Sequence, residues 1–404
     1  MPIEETLTRI ATDENFHGIA TVSGHSSVCN IEGVSDKTPF PIHSVGKILS
    51  GVLMIEMLAQ GIIEESDLTK TGIKLPPEIE EKLATKPAVM ERLSQKTILQ
   101  AMQHEANLGD YLDNYLTHLR DGGEVKESMT DMVDFISDNW DGKERYSNDG
   151  LLLGGFALQQ LYNSKTDQNL SYEEILNKLV IEPSKTNISM TRPSDTHYGE
   201  EDHLSRFPVT PAGGHAASTD DLLKLGEYLY QRCHDARFME GVKKYGKEFY
   251  KETRNRIEHG GDMEGSTYEG RGSSVEFGIS LDDGKTTVIL MDQDASEADK
   301  KEGRLRQTYA RGFYHEIRGA LEEEKKVQLK GNVLSALDLA VTDSQIEGLR
   351  EDKDPAIKSF AEKIRPSKNK SDDNKTMAGD LMRSSSFVDR VMSEKSDSSE
   401  SKGR

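Results

Sequence analysis

The sequence predicts an α+β fold: an antiparallel sheet flanked by helices, with an all-helical lobe inserted into it. Three observations carry this prediction. β-prone runs occur near both ends of the folded part, Gly18 to Val22 and Ser27 to Ile31 at one end, Ser273 to Leu281 and Lys285 to Met291 at the other. The stretch between them, from about Ile62 to Phe207, reads mostly as helix. A helical pattern from about Gly303 to Glu324 follows the last strand and should pack back on the sheet. Strands, then helices, then strands and a helix is the order expected when one lobe is built from both ends of a chain.

Taken in order, the first pair of runs flanks Ser23-Gly24-His25-Ser26, a turn, and reads as a hairpin. A helix over Ser44–Gln60 follows and stops at Gly61, a residue suited to a helix C-terminus. Ile48, Leu49, Val52, Leu53, Ile55, Met57 and Leu58 make it apolar nearly all round, as expected of a buried helix. Further helices are expected over Thr97–Glu105, Lys126–Ser137, Gly150–Tyr162 and Ser171–Val180, the last opened by the capping box Ser171-Tyr172-Glu173-Glu174. Val209-Thr210-Pro211-Ala212-Gly213-Gly214 is a turn, and Ser218-Thr219-Asp220-Asp221 starts a helix through Leu222–Tyr230. Asp282-Asp283-Gly284 joins the last two strands as a hairpin. Two short helical patterns come next, Asn332–Val341 and one beginning at Thr342. From Arg365 onward ten of forty residues are serine and apolar residues are sparse, which predicts a disordered tail. The expected organisation is one domain over 1–325, with an α/β lobe from 1–61 and 206–325 and a helical lobe over 62–205. A helical extension over 326–364 and the tail over 365–404 complete it.

At 404 residues, 34% hydrophobic and 30% charged, the chain can bury a sizeable core. Its formal net charge of −20 repels phosphate backbones, and no basic stripe interrupts it, which argues against a nucleic-acid partner. No apolar run approaches the ~20 residues that span a bilayer, so no membrane partner is expected. The N-terminus, Met1-Pro2-Ile3-Glu4-Glu5, lacks the apolar segment of a secretory signal peptide, which predicts a protein that is cytoplasmic as synthesised. Cys29 and Cys233, the only cysteines, fit a reducing compartment better than a disulfide framework.

The chemistry concentrates at Ser44-Val45-Gly46-Lys47. One helical turn puts the serine and the lysine on the same face. Burial and the helix N-terminus lower the proton affinity of the amine, so that it can take the serine proton. Ser-x-x-Lys recurs at Ser367–Lys370 and Ser399–Lys402, but there no buried helix follows. Tyr146-Ser147-Asn148, just before an apolar helix, offers a phenol whose proton affinity a lysine ammonium would lower, and an amide for a substrate carbonyl. On its own it reads rather as turn chemistry. His259-Gly260-Gly261 puts glycines on a strand edge where backbone can approach a ligand; His197-Tyr198-Gly199 shares the His-x-Gly pattern.

In this order the three motifs resemble the serine β-lactamase and penicillin-binding-protein superfamily, in its class C β-lactamase, D-alanyl-D-alanine carboxypeptidase and esterase branch. The stretches Phe40 to Lys47, Arg145 to Gly155 and Thr210 to Leu222 carry the likeness between the motifs. The resemblance implies a β-lactamase/DD-peptidase-like fold and a serine hydrolase of esterase or amidase/peptidase type, without metal or cofactor, acting on a small-molecule or peptide ester or amide. It implies acylation of Ser44, proton transfer by Lys47 and Tyr146, and an Asn148 that orients Lys47 and the substrate carbonyl. His259 flanks the site, Gly260 and Gly261 line it, and the backbone N–H groups of Ser44 and Asp262 receive the oxyanion. The Asp262 carboxylate beside that position favours an alternative: a binding or scaffold protein on an inactive hydrolase fold. The polar C-terminal tail resembles export signals of bacterial effectors delivered into host cells, and it is equally a solubilising or partner-binding tail.

Overall fold

A computed structural model describes residues 2–138, 146–189, 208–263, 273–292 and 309–338. The predicted patterns from Thr342 onward and the serine-rich tail lie outside these residues. The chain divides into two compact units, residues 4–318 and a smaller one made of 1–3 and 319–404.

The larger unit is built on a six-stranded sheet. Its strands are β1 Gly18–Val22, β2 Val28–Cys29, β5 Tyr250–Lys251, β6 Arg256–Met263, β7 Ser273–Ser280 and β8 Thr286–Met291, in the order β2-β1-β8-β7-β6-β5. Every pairing is antiparallel. A short pair, β3 Phe40–Pro41 with β4 Ala216–Ala217, lies apart from it. Both ends of the folded region meet where β1 pairs β8, with Ala20 opposite Ile289. The β7–β8 turn closes at Gly284, whose φ of 71° is the left-handed value expected of Asp-Gly hairpins. The predicted second strand of the first hairpin is shorter than expected, Val28–Cys29 alone.

The helices are α1 Ile3–Ala11, α2 Gly46–Ala59, α3 Glu65–Thr69, α4 Pro77–Leu83, α5 Pro87–Gln95, α6 Ile98–Met102, α7 Tyr111–Arg120, α8 Asn148–Thr166, α9 Tyr172–Leu176, α10 Glu182–Ser184, α11 Thr219–Arg232, α12 Ala236–Tyr245 and α13 Tyr309–Asp338. Among the described residues between 62 and 189 there are helices and no strand, as the inserted lobe requires. The expected helix over Lys126–Ser137 is a 3-10 turn, Met129–Phe135, opened by a Ser128–Asp131 capping box. The Ser171–Glu174 box caps α9. Among the described residues, no helix is long and apolar enough to cross a membrane.

Helix α2 is buried from Gly46 to Met57. Each large aliphatic side chain it removes from water contributes about 1.5–3 kcal/mol. Two ionisable groups, Lys47 and Glu56, go in with them. Glu56 is 1% exposed and is held by Arg232 of α11, Nε to Oε1 at 2.6 Å and Nη2 to Oε2 at 2.9 Å, with the Tyr228 hydroxyl donating at 2.7 Å. A buried carboxylate is tolerated only with partners of this kind.

The last helix begins in the larger unit. Its Ala310, Phe313, Tyr314 and Ile317 are buried, and Phe313 meets Phe16 edge to face at 5.3 Å. Arg311 Nε bonds Glu276 Oε1 of β7 at 2.6 Å, so this turn of the helix packs on the sheet as expected. The helix is described as far as Asp338, into residues predicted as a separate Asn332–Val341 element, whose last three lie outside the described residues; from Gly319 it belongs to the smaller unit.

Candidate active site

Ser44 sits in a one-turn 3-10 helix, His43–Val45, that runs directly into α2. The backbone before it is unusual: His43 has φ 45°, a left-handed conformation that a residue with a Cβ adopts at a cost. His43 Nε2 bonds Ser273 Oγ of β7, which ties this turn to the sheet. Burial first, then the nearby Lys47, lowers His43 to about 4, so the ring is neutral at physiological pH.

Lys47 lies one turn on, 2% exposed. Its Nζ donates to Ser44 Oγ at 2.9 Å and to the carbonyl of Ala212, in the Thr210–Gly214 turn, at 2.6 Å. Burial brings its pKa from 10.5 down to about 7, against the opposing pull of Glu248 and Asp110. Near neutral pH about half of the molecules therefore carry an uncharged amine here.

Tyr146 approaches from the other side. Its hydroxyl donates to Ser44 Oγ at 2.7 Å, and Lys47 Nζ lies 4.6 Å from the ring centroid. The sequence predicts a phenol acidified by that ammonium. The structure corrects this: loss of solvent around the hydroxyl pushes Tyr146 well above the usual phenol value, and the Glu248, Asp110 and Asp262 charges push the same way. The phenol keeps its proton. Ser147 then opens α8, its Oγ accepting from Gly150 N at 2.9 Å and donating to Gly109 O at 2.8 Å.

Asn148 lines the same cleft, but its expected bond to Lys47 is not formed among the described residues. The amide nitrogen is 3.0 Å from both oxygens of Asp110, the N-cap of α7, because a half-buried carboxylate is a strong acceptor. Ala212 supplies the lysine's second partner instead. His259, on β6, shares the strand face of Gly261, but its ring bonds elsewhere than to the serine. Its Nδ1 faces the carbonyl of Gly260 at 2.6 Å and its Nε2 faces Glu248 Oε1 at 3.2 Å.

The glycines of β6 have separate jobs. A Cβ on Gly261 would sit 2.7 Å from Ile42 O and 2.9 Å from Ser44 N, so only glycine lets β6 pass this close to the serine turn. Alternate residues face opposite sides of a strand. Gly260 and Asp262 therefore face away from Ser44. A Cβ on Gly260 would meet Glu276, and Asp262 Oδ1 accepts from Ser274 Oγ, its partner in register, at 2.7 Å. Asp262 borders the cleft, but its carboxylate is anchored on the far face rather than aimed at Ser44. Ser44, His43, Tyr111, Asn148 and Gly213 line the open cleft with it.

Sequence reasoning missed Asp110 and Glu248. Asp110 had a usable signal, since an aspartate before Tyr111-Leu112, with Tyr115 and Leu116 one turn on, is a helix start. Glu248 lies in no motif.

No protein-family profile matches the sequence, and no curated protein sequence does. Among solved structures the chain is similar to a penicillin-binding protein from Bacillus halodurans, at 14% identity over 74% of this chain and 98% of that one, with a TM-score of 0.50. A D-stereospecific amidohydrolase from Streptomyces sp. matches at 15% identity over 75% and 98%, TM-score 0.49. A class C beta-lactamase from Rhodobacter sphaeroides matches at 13% over 79% and 99%, TM-score 0.46. At such identities a likeness speaks for the fold. With its antiparallel sheet, its inserted helices and its serine at the head of a buried helix, the chain has the fold of the serine β-lactamase and penicillin-binding-protein superfamily.

Proposed function

We propose that the protein is a serine hydrolase that works through an acyl-enzyme on Ser44, cleaving an ester or amide of a small molecule or peptide. The observation that carries this reading is the shared hydrogen bonding of Ser44 Oγ, to Lys47 Nζ at 2.9 Å and to the Tyr146 hydroxyl at 2.7 Å, at the edge of an open cleft.

The uncharged form of Lys47 is the base. Its lone pair takes the Ser44 proton while Oγ bonds to the substrate carbonyl carbon. The backbone N–H groups of Ser44 and Asp262 receive the developing oxyanion. Collapse breaks the bond from that carbon to the leaving oxygen or nitrogen. The proton passes from Lys47 through the Tyr146 hydroxyl to the leaving atom, which departs as alcohol or amine. Water then adds to the acyl carbon, loses its proton along the same route in reverse, and releases the carboxylic acid and Ser44. Tyr146, which keeps its proton, is a relay in this scheme and not a phenolate base.

The test is covalent labelling. Incubated with the protein, a β-lactam should add its whole mass at Ser44 by ring opening and an uncharged fluorophosphonate its mass less hydrogen fluoride, and Ser44→Ala should take neither. A folded wild type that several such reagents leave unlabelled would sink the proposal. Ester, D-amino-acid amide and β-lactam substrates offered in parallel separate the esterase from the amidase/peptidase form.

A further inference from the structure

Beside Tyr146, two imidazoles converge on one carboxylate. Glu248 lies between α12 and β5. Its Oε1 is 3.2 Å from His259 Nε2, a hydrogen bond, and 3.6 Å from His104 Nε2, an ion-pair distance. The histidine side chains are only 9% and 10% exposed, and that of Glu248 29%. His104 follows α6 in a left-handed conformation, φ 61°, which places its ring here. His104 Nδ1 meets the Ser147 main chain, its N at 2.9 Å and its O at 3.1 Å, while Nε2 faces Glu248. The opposite contact of that ring is the phenol. His104 and Tyr146 stack with centroids 4.4 Å apart and planes at 23°. Tyr146 is 45% exposed, so this stack is a principal support for its ring.

We infer that Glu248 is a positioning residue: through His104 it holds the Tyr146 phenol against Ser44, and through His259 it fixes that assembly to the strand that borders the serine. This rests on the acyl-enzyme reading of Ser44. His259, whose motif the sequence singled out, is in this arrangement an anchor for Glu248 and not a proton carrier. The carboxylate also acts at a distance. Burial pushes Glu248 up, but its contacts with His104 and His259 outweigh that and hold it well below the usual carboxylate range, so it is charged throughout the working pH range. That charge raises the proton affinity of Lys47 and of Tyr146. The other charges around the group are Asp110 before α7 and Asp262 on β6, both felt at Tyr146. Lys251 bonds the Glu248 main-chain carbonyl at 3.0 Å, and Lys247 pairs with Glu105.

The test is the pH dependence of Ser44 labelling by an uncharged fluorophosphonate in the full-length protein, wild type against Glu248→Gln and Glu248→Asp. Glu248→Gln keeps the shape and removes the charge. Its maximal labelling rate should fall about 10- to 100-fold, the scale of a misplaced catalytic group. Its acid limb should move to lower pH, because Lys47 loses a neighbour that favours its protonated form. Glu248→Asp should recover part of the rate. A folded Glu248→Gln with the wild-type maximum and limb overturns the inference. Should that variant not fold, His104→Gln removes the ring under the phenol while leaving Glu248 and His259 paired, and it should lower the maximum alone. A wild-type rate there overturns the inference, and so does failure of both variants to fold, which would assign the three residues to the core. A wild type that takes no label at Ser44 brings down the acyl-enzyme reading itself, a distinct result.

Discussion

Replacing Lys47 by methionine should destroy the reactivity of Ser44 and stabilise the protein, by an amount that depends on pH. The amine is 2% exposed and its pKa falls from 10.5 to about 7 on burial, a difference of 10.5 − 7 = 3.5. At 1.36 kcal/mol each, that is about 5 kcal/mol of penalty on the charged form. The folded value lies below the unfolded one, so between the two the unfolded chain binds more protons and stability rises with pH. Below the folded value the full penalty is present; above the unfolded value it is gone. From about pH 6.5 to about pH 9.5 the wild type should gain roughly 3 kcal/mol relative to Lys47→Met. Methionine fills much the same space without a charge, so the variant lacks this slope. Urea unfolding of both proteins at several pH values reads the difference directly. Parallel stability curves for the two proteins would refute the buried, neutralised lysine, and with it the base proposed for Ser44.

Two further substitutions probe the frame around it. Gly261→Ala drives a methyl group against Ile42 O and Ser44 N; it should destabilise the fold by about 1–3 kcal/mol and sharply slow Ser44 labelling, and an undisturbed labelling rate would contradict the approach of β6 to the serine turn. Arg232→Ala leaves Glu56 buried without its charged partner; thermal or urea unfolding should show a loss of about 3–5 kcal/mol, and a loss below about 1 kcal/mol would mean that the carboxylate finds other partners.

The readable parts of the fold were those with local chemistry. Asp282-Asp283-Gly284 between two β-prone runs marks a hairpin in the sequence alone, and the unbroken apolar circumference of α2 marks a buried helix. For β6 the sequence offers only a strand edge at His259-Gly260-Gly261, because Arg256-Ile257-Glu258-His259-Gly260-Gly261-Asp262-Met263 has the composition of a loop. It is a strand because β7 pairs with it along its length and β5 at Arg256 and Ile257, a non-local cause. Helix α1 carried an apolar stripe of Ile3, Leu7 and Ile10 that the hairpin reading of the N-terminus passed over. At the site, the serine, lysine and tyrosine announced themselves through spacing. What they bond to did not. The proton affinity of Tyr146 depends on lost solvent and on three carboxylates distant in sequence, and the partner of Asn148 is an aspartate 38 residues earlier. Such features exist only once the chain has closed on itself.

That closure has a consequence in time. The hydroxyl of Ser44 is met by Tyr146 across 102 positions, its lysine is fixed by Ala212 across 165, and the turn that carries it is tied to Ser273 across 230. A ribosome adding about 5–20 residues per second needs on the order of ten seconds or more to cover the longest of these spans. Throughout that interval Ser44 is an ordinary alcohol beside an ordinary ammonium. On the proposed acyl-enzyme reading, labelling of Ser44 would therefore report that the chain has been made and folded at least as far as Ser273.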